Sequence, residues 1–137
     1  MKVLIASVLV IATSICVAPV RADSFADEGD CTDVVSSAQI DACSKQEVLY
    51  SMQLLADELA SLELRVVRAY VADRTLGGEL VELVREAQNA WVSFRDGTCR
   101  LEAFELEPEA PAYATTVNRC VARMNAERVE VLRGIIR

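Results

Sequence analysis

The side chains with chemistry to offer are four of the five cysteines, Cys31, Cys43, Cys99 and Cys120, and a surplus of carboxylates, 21 Asp and Glu against 14 Lys and Arg. Thiolates can attack carbonyls, hold zinc or pair as disulfides, and two carboxylates flanking a cleft suffice for glycoside hydrolysis. Histidine is missing altogether, which removes the imidazole of Ser-His-Asp and Cys-His nucleophiles and the commonest metal ligand. The cysteines form no close C-x-x-C pair, so a four-thiolate zinc site lacks its spacing. Neither a nucleotide-binding loop nor a calcium loop is present. We therefore expect no catalytic residue, no metal and no cofactor. A net charge of -7 and a pI near 4.6 also argue against a nucleic-acid partner, which would need clustered cations.

The use of the cysteines depends on the compartment. Met1-Lys2 gives a positive start, Val3 to Ala18 carries no charge, and Val20-Arg21-Ala22 suits a signal peptidase. This pattern predicts a cleaved signal peptide over residues 1–22. Pro19 and Arg21 end the apolar run near the lower limit for a membrane span, and Ile15 disfavours a lipid anchor on Cys16. Residues 1–22 hold two basic and no acidic groups, so the remaining 23–137 carries 12 basic and 21 acidic groups, a net -9. It is long enough for one domain. The expectation is a periplasmic or secreted protein, not membrane-bound after cleavage, whose even cysteine count forms two disulfides.

The elements that must position these residues are helical. Ser44-Lys45-Gln46-Glu47 has the form of a capping box and predicts a helix start just after Cys43. Val48, Met52, Leu55, Leu59, Leu62, Val66 and Ala69 then step by four and three, the stripe of a helix packed along neighbours. That helix is expected to reach about Arg74 and to be broken by Leu76-Gly77-Gly78. Leu80, Val84, Ala87, Trp91, Phe94, Thr98 and Leu101 form a second stripe, with Glu79 and Glu82 in its first turn. Residues 105–111, with Pro108 and Pro111, read as a turn. Val117, Val121, Met124, Val131, Leu132 and Ile135 mark a third helix, and residues 33–42 a short N-terminal one. The fold class expected is all-α, an antiparallel bundle of three long helices plus that short helix, stapled by two disulfides. Facing residues of an antiparallel hairpin sum to a constant, and Cys99 and Cys120 are symmetric about the Pro108–Pro111 turn. They are predicted to bond, leaving Cys31 with Cys43.

The most specific string is Ala87-Gln88-Asn89-Ala90-Trp91-Val92-Ser93-Phe94-Arg95-Asp96-Gly97-Thr98-Cys99. It resembles the A-Q-x-A-W-x-x-[FY]-R-D-x-x-C signature of the LprI-like lysozyme inhibitor family, small exported helical domains. Two cysteines twelve positions apart, Leu62-Glu63 with Tyr70, and Cys120 followed by Arg128 and Leu132 agree with that resemblance. Glu63, Val66 and Val67 depart from it, standing where many relatives have aspartate, leucine and asparagine. So does the acidic, proline-rich stretch before Cys120. The resemblance implies a binding protein whose partner is a lysozyme or other peptidoglycan hydrolase.

On a helix Gln88, Trp91, Arg95 and Cys99 fall within about 80° of one another. The sole tryptophan then anchors the core, its indole N–H needing an acceptor, while Gln88 and Arg95 require polar partners. Arg128 lies in the apolar stripe of the third helix, and Asp96 with Arg128 is the ion pair expected first. We read Gln88, Trp91, Arg95, Asp96 and Arg128 as mainly structural. Glu102, Glu105, Glu107 and Glu109 are the expected partner contacts, because an acidic surface is steered toward a basic enzyme. Two other readings fit the sequence: an immunity protein against a peptidoglycan-cutting toxin, and a structural or stress protein of the cell envelope that inhibits nothing.

Overall fold

The computed structural model describes residues 31–136, and the expected signal peptide lies outside them. Three helices, α1 (Ser37–Ala69), α2 (Arg74–Glu102) and α3 (Pro111–Arg133), account for the architecture. The described residues contain no strand, and no helix among them is long and apolar enough to cross a membrane. The all-α expectation is met.

α1 is continuous over 33 residues, about 50 Å at the usual rise, and it begins earlier than its sequence suggests. The capping box that forms is Ser36 with Gln39: the Gln39 N–H donates to the Ser36 hydroxyl, and the Ser36 N–H donates to Gln39 Oε1. Ser44-x-x-Glu47 does not cap. Residues 37–42 are accordingly the first turns of α1, not a separate short helix. Ser44 is fully buried inside α1, its hydroxyl donating to the Asp41 carbonyl and accepting from Asn118 Nδ2.

The first connection also differs from expectation. α1 stops at Ala69 with Tyr70 as its C-cap, and Asp73 caps α2 by accepting from the Leu76 N–H. Gly77 and Gly78 therefore belong to the first turns of α2 and break nothing. Neither has a positive φ. Gly77 is needed for closeness: a Cβ there would lie 2.9 Å from the Tyr70 Cβ, whereas one at Gly78 would meet nothing within 4 Å. Residues 103–110 form the second connection, and Pro111 opens α3 at the first helical position, where its missing N–H costs nothing.

Short connections make α1 and α3 parallel to each other and antiparallel to α2. Two cross-links show the register: Asn118 donates to Ser44 and Asn125 to Ser51, both pairs 74 positions apart in the chain. α1 packs chiefly on α3. Leu55, Leu62 and Val66 of α1, Val84 of α2, and Val129 and Leu132 of α3 form one core cluster. Cys99, Cys120, Val121 and Met124 form a second, and Trp91 packs against both. Arg65 of α1 holds the end of α3, donating through Nε to the Ile136 carbonyl (3.0 Å) and through Nη2 to the Leu132 carbonyl (3.0 Å). The Leu132 carbonyl also accepts from the Ile135 N–H (3.1 Å), so Arg65 adds a second donor at the C-terminal end of α3.

Both predicted disulfides form. Cys99–Cys120 joins α2 to α3 and Cys31–Cys43 ties the segment before α1 to its second turn, with Cα separations of 5.4 and 5.8 Å. In the chain-entropy model each closure contributes about 3 kcal/mol.

The stripe predicted for α1 is largely buried, although Met52 and Ala69 are exposed; in α3, Val131 is exposed and Val129 takes the core position. α2 departs furthest. Its buried residues are Gly77, Val84, Gln88, Arg95 and Cys99, while Ala87, Phe94 and Leu101 of the predicted stripe face solvent.

Candidate functional site

The signature residues of α2 assemble a polar cluster against α3 and α1. Arg95, only 9% exposed, is held at both ends of its guanidinium. Inside, Nη1 donates to Asn125 Oδ1 (2.9 Å), and Asn125 Nδ2 donates to the Ser51 hydroxyl (2.9 Å), which donates to the Val48 carbonyl (2.8 Å). At the rim, Nε and Nη2 both reach Asp96 Oδ1, at 2.8 and 2.7 Å. The chain of bonds runs from surface to centre through all three helices, and no buried side-chain nitrogen or oxygen among the described residues lacks a partner.

Trp91 supplies the platform of this cluster. The guanidinium carbons of Arg95 and Arg128 lie 5.4 and 5.5 Å from its ring centroid, within the range of cation–π attraction. The indole is half-buried and its N–H makes no hydrogen bond among the described residues, so the expected acceptor is replaced by packing on two cations. The expected Asp96–Arg128 ion pair does not form. Asp96 is taken by its neighbour Arg95, and Arg128 donates instead to Gln88 Oε1 at 3.1 Å. Burial with no carboxylate alongside lowers the pKa of Arg128 from the ordinary guanidinium value. It nevertheless stays protonated, as arginine does in proteins. Gln88, Trp91, Arg95, Asp96 and Arg128 are thus brought together, and their contacts join α2 to α3 through Arg95–Asn125, Arg128–Gln88 and Arg128 over Trp91.

Sequence reasoning missed Ser51, Asn125 and the Ser44–Asn118 pair. A signal existed: Asn118, Val121, Asn125, Arg128 and Leu132 recur at steps of three and four, so these polar residues occupy positions that face the neighbouring helices. Polar residues at such positions set register between helices.

The acidic turn lies at the opposite extreme of exposure. Glu105, Glu107 and Glu109 are exposed and make no ion pair among the described residues, beside Phe104 at 81% exposure and Leu101 at 75%. Glu102 differs from them, bridging to Arg123 of α3, which Glu127 also pairs. That pairing raises the Arg123 pKa. The turn therefore offers three uncompensated carboxylates next to apolar side chains.

A cavity of about 320 Å³ opens at the other end of the molecule, beside the α1–α2 connection, lined by Val67, Tyr70, Val71, Arg74, Gly78 and Val81. Its walls are apolar and bring together no pair of titratable groups that would do acid/base work. All four cysteines of the described residues are in disulfides, leaving no thiol nucleophile there.

The family model described as lysozyme inhibitor LprI matches residues 30–132, which takes in α1, α2, all but the last residue of α3 and both disulfides. The chain belongs to the LprI family. It is similar to an uncharacterized protein of Rhizobium meliloti strain 1021, 27% identical over an alignment of 132 positions that covers 88% of this chain and 87% of the relative. Its fold is similar to the crystal structure of a DUF1311 family protein from Pseudomonas putida KT2440, with a TM-score of 0.66 and 24% identity, covering 75% of this chain and 96% of that one. Within this LprI-family match the string from Ala87 to Cys99 contributes to both faces of α2: Gln88, Arg95 and Cys99 are buried, whereas Ala87 and Phe94 are exposed.

Proposed function

We propose that this LprI-family chain is an exported binding protein that inhibits a lysozyme-type peptidoglycan hydrolase and catalyses nothing itself. The observation that carries the reading, beyond family membership, is the acidic turn of 103–110. Three free carboxylates stand on a disulfide-stapled scaffold beside exposed Phe104, so a basic enzyme meets both charge complementarity and an apolar anchor without the inhibitor having to reorganise. Two disulfides and the signal-like N-terminal sequence support function outside the cytoplasm.

The test is a titration of the exported, oxidised protein against lysozymes of the c, g and i types in a cell-wall clearing assay at two salt concentrations. Inhibition of at least one type is expected, weakening as salt screens the charges. Unchanged clearing rates with all three types at micromolar protein overturn the inhibitor reading. The variant Glu105→Gln/Glu107→Gln/Glu109→Gln is expected to inhibit about tenfold less well; full inhibition by it removes the turn from the contact surface.

A further inference from the structure

α2 carries a second apolar stripe, and it does not face the core. Leu83, Ala87, Ala90, Phe94, Gly97 and Leu101, with Phe104 in the turn just beyond, recur at alternating steps of four and three. At 100° per residue this seam is centred about 130° around the helix from the buried line of Val84, Gln88, Arg95 and Cys99. Leu83 is 60% exposed, Phe94 64%, Leu101 75% and Phe104 81%. Such a heptad seam fits another helix, and within the described residues no helix covers it.

We propose that the occupant is a second copy of this chain, its α2 lying antiparallel on this one across a two-fold axis near residue 92. Three observations choose that partner. The first is steric: facing positions of an antiparallel pair sum to a constant, and about residue 92 Phe94 comes opposite Ala90, Ala87 opposite Gly97, Leu83 opposite Leu101 and Leu80 opposite Phe104. Phe94 of each copy thus meets the small Ala90 in the middle, where Ala87 and Gly97 let the helices approach closely. A parallel pair in register would set Phe94 against Phe94.

The second is electrostatic. Glu86 and Arg100 flank the seam on one side, and neither has an ion pair among the described residues; the antiparallel arrangement sets Glu86 alongside Arg100 of the other copy, twice by symmetry. The third is the surface available. Bordering the seam is a groove of about 190 Å³ between α2 and α3, lined by Leu80, Leu83 and Ala87 with Leu132 and Ile135, which widens the apolar surface on the side away from Glu86 and Arg100. The four large seam residues expose roughly 500 Å² per chain, hence about 1,000 Å² in a pair, the lower bound for a specific interface. Such a dimer is weak and concentration-dependent, and it places the two acidic turns at opposite ends. Because it covers Phe104, the dimer competes with any partner that takes Phe104 as an anchor, while Glu105, Glu107 and Glu109 stay outside the seam.

Sedimentation velocity of the exported, oxidised protein from about 1 µM to 1 mM tests it, spanning the affinities that such an area supports. The mass is expected to rise toward twice that of the single chain. Phe94→Glu/Leu101→Glu is expected to remain a single chain throughout while keeping the helical circular dichroism of the wild type, since both side chains are exposed. Glu86→Arg alone is expected to raise the dimer Kd about tenfold by opposing like charges, and Glu86→Arg/Arg100→Glu to restore it. A wild type that stays a single chain at 1 mM overturns the proposal, whichever other partner the seam serves. A dimer indifferent to the glutamates overturns the seam, and failure of the double exchange to restore it overturns the antiparallel register.

Discussion

The two faces of α2 reverse the usual assignment of polarity. Its inward face buries Gln88, Arg95 and a glycine, with Trp91 half-buried among them, whereas its outward face presents Leu83, Phe94 and Leu101 to solvent. Burying a guanidinium is costly unless every donor finds a partner. Here Asn125, Asp96 and the Trp91 face provide them. α2 is therefore seated by directional bonds that fix its rotation and register against α1 and α3, while its apolar surface is left over for association.

This reversal explains what was legible in the sequence. The three helices, a turn around Pro108, the pairing of the four cysteines and the convergence of Gln88, Trp91 and Arg95 all follow from periodicity, proline placement and hairpin symmetry. The stripe chosen for α2 mixed two faces, because Leu80, Ala87, Phe94 and Leu101 make a better apolar heptad than the residues actually buried. Hydrophobic spacing identifies a face that something must cover without naming the cover. The helix boundaries that the sequence suggests near Ser44 and Gly77 differ from the observed ones for a related reason. A serine and a glycine can each serve helix packing, Ser44 by bonding Asn118 across helices and Gly77 by making room for Tyr70, and neither use leaves a local signature different from a cap or a break.

A large effect that sharpens the comparison is expected at Arg95. Arg95→Leu deprives Asn125 and Asp96 of a charged donor and removes one cation from Trp91, and is expected to cost about 3 kcal/mol in urea unfolding. Arg100→Leu, on the seam side, is expected to change stability by less than about 0.5 kcal/mol. Equal costs would erase the distinction between the faces.

Next come the adjacent glycines at the start of α2. Gly77→Ala pushes a Cβ into Tyr70 and is expected to destabilise by about 1–3 kcal/mol. Gly78→Ala enters open space on a helix and is expected to stabilise by up to about 1 kcal/mol. Melting temperatures that move the same way for both would contradict the close approach of the two helices at Tyr70.

The smallest effect lies at the exposed edge between α1 and α2, where Arg85 donates to both oxygens of Glu63 at 2.9 Å. Those hydrogen bonds, with the charge of Arg85, lower the Glu63 pKa. A folded-state pKa below the unfolded one contributes stability that is present above the unfolded value and is lost as pH falls through the folded value. Glu63→Gln is therefore expected to flatten slightly the acid limb of the stability–pH curve and to leave its neutral-to-alkaline limb parallel to the wild type. An unaltered acid limb would show that the pair exerts no influence on folding.

Two aromatic residues three positions apart test the account most directly. Urea unfolding of Trp91→Ala and Phe94→Ala, followed by circular dichroism at a protein concentration where only single chains are present, sets the inward face against the outward one. Trp91→Ala is predicted to lose about 3–5 kcal/mol and Phe94→Ala less than about 0.5 kcal/mol. A loss at Phe94 as large as that at Trp91 would show that the apolar seam belongs to the core and contradict the division of α2 into a polar seat and a free apolar face.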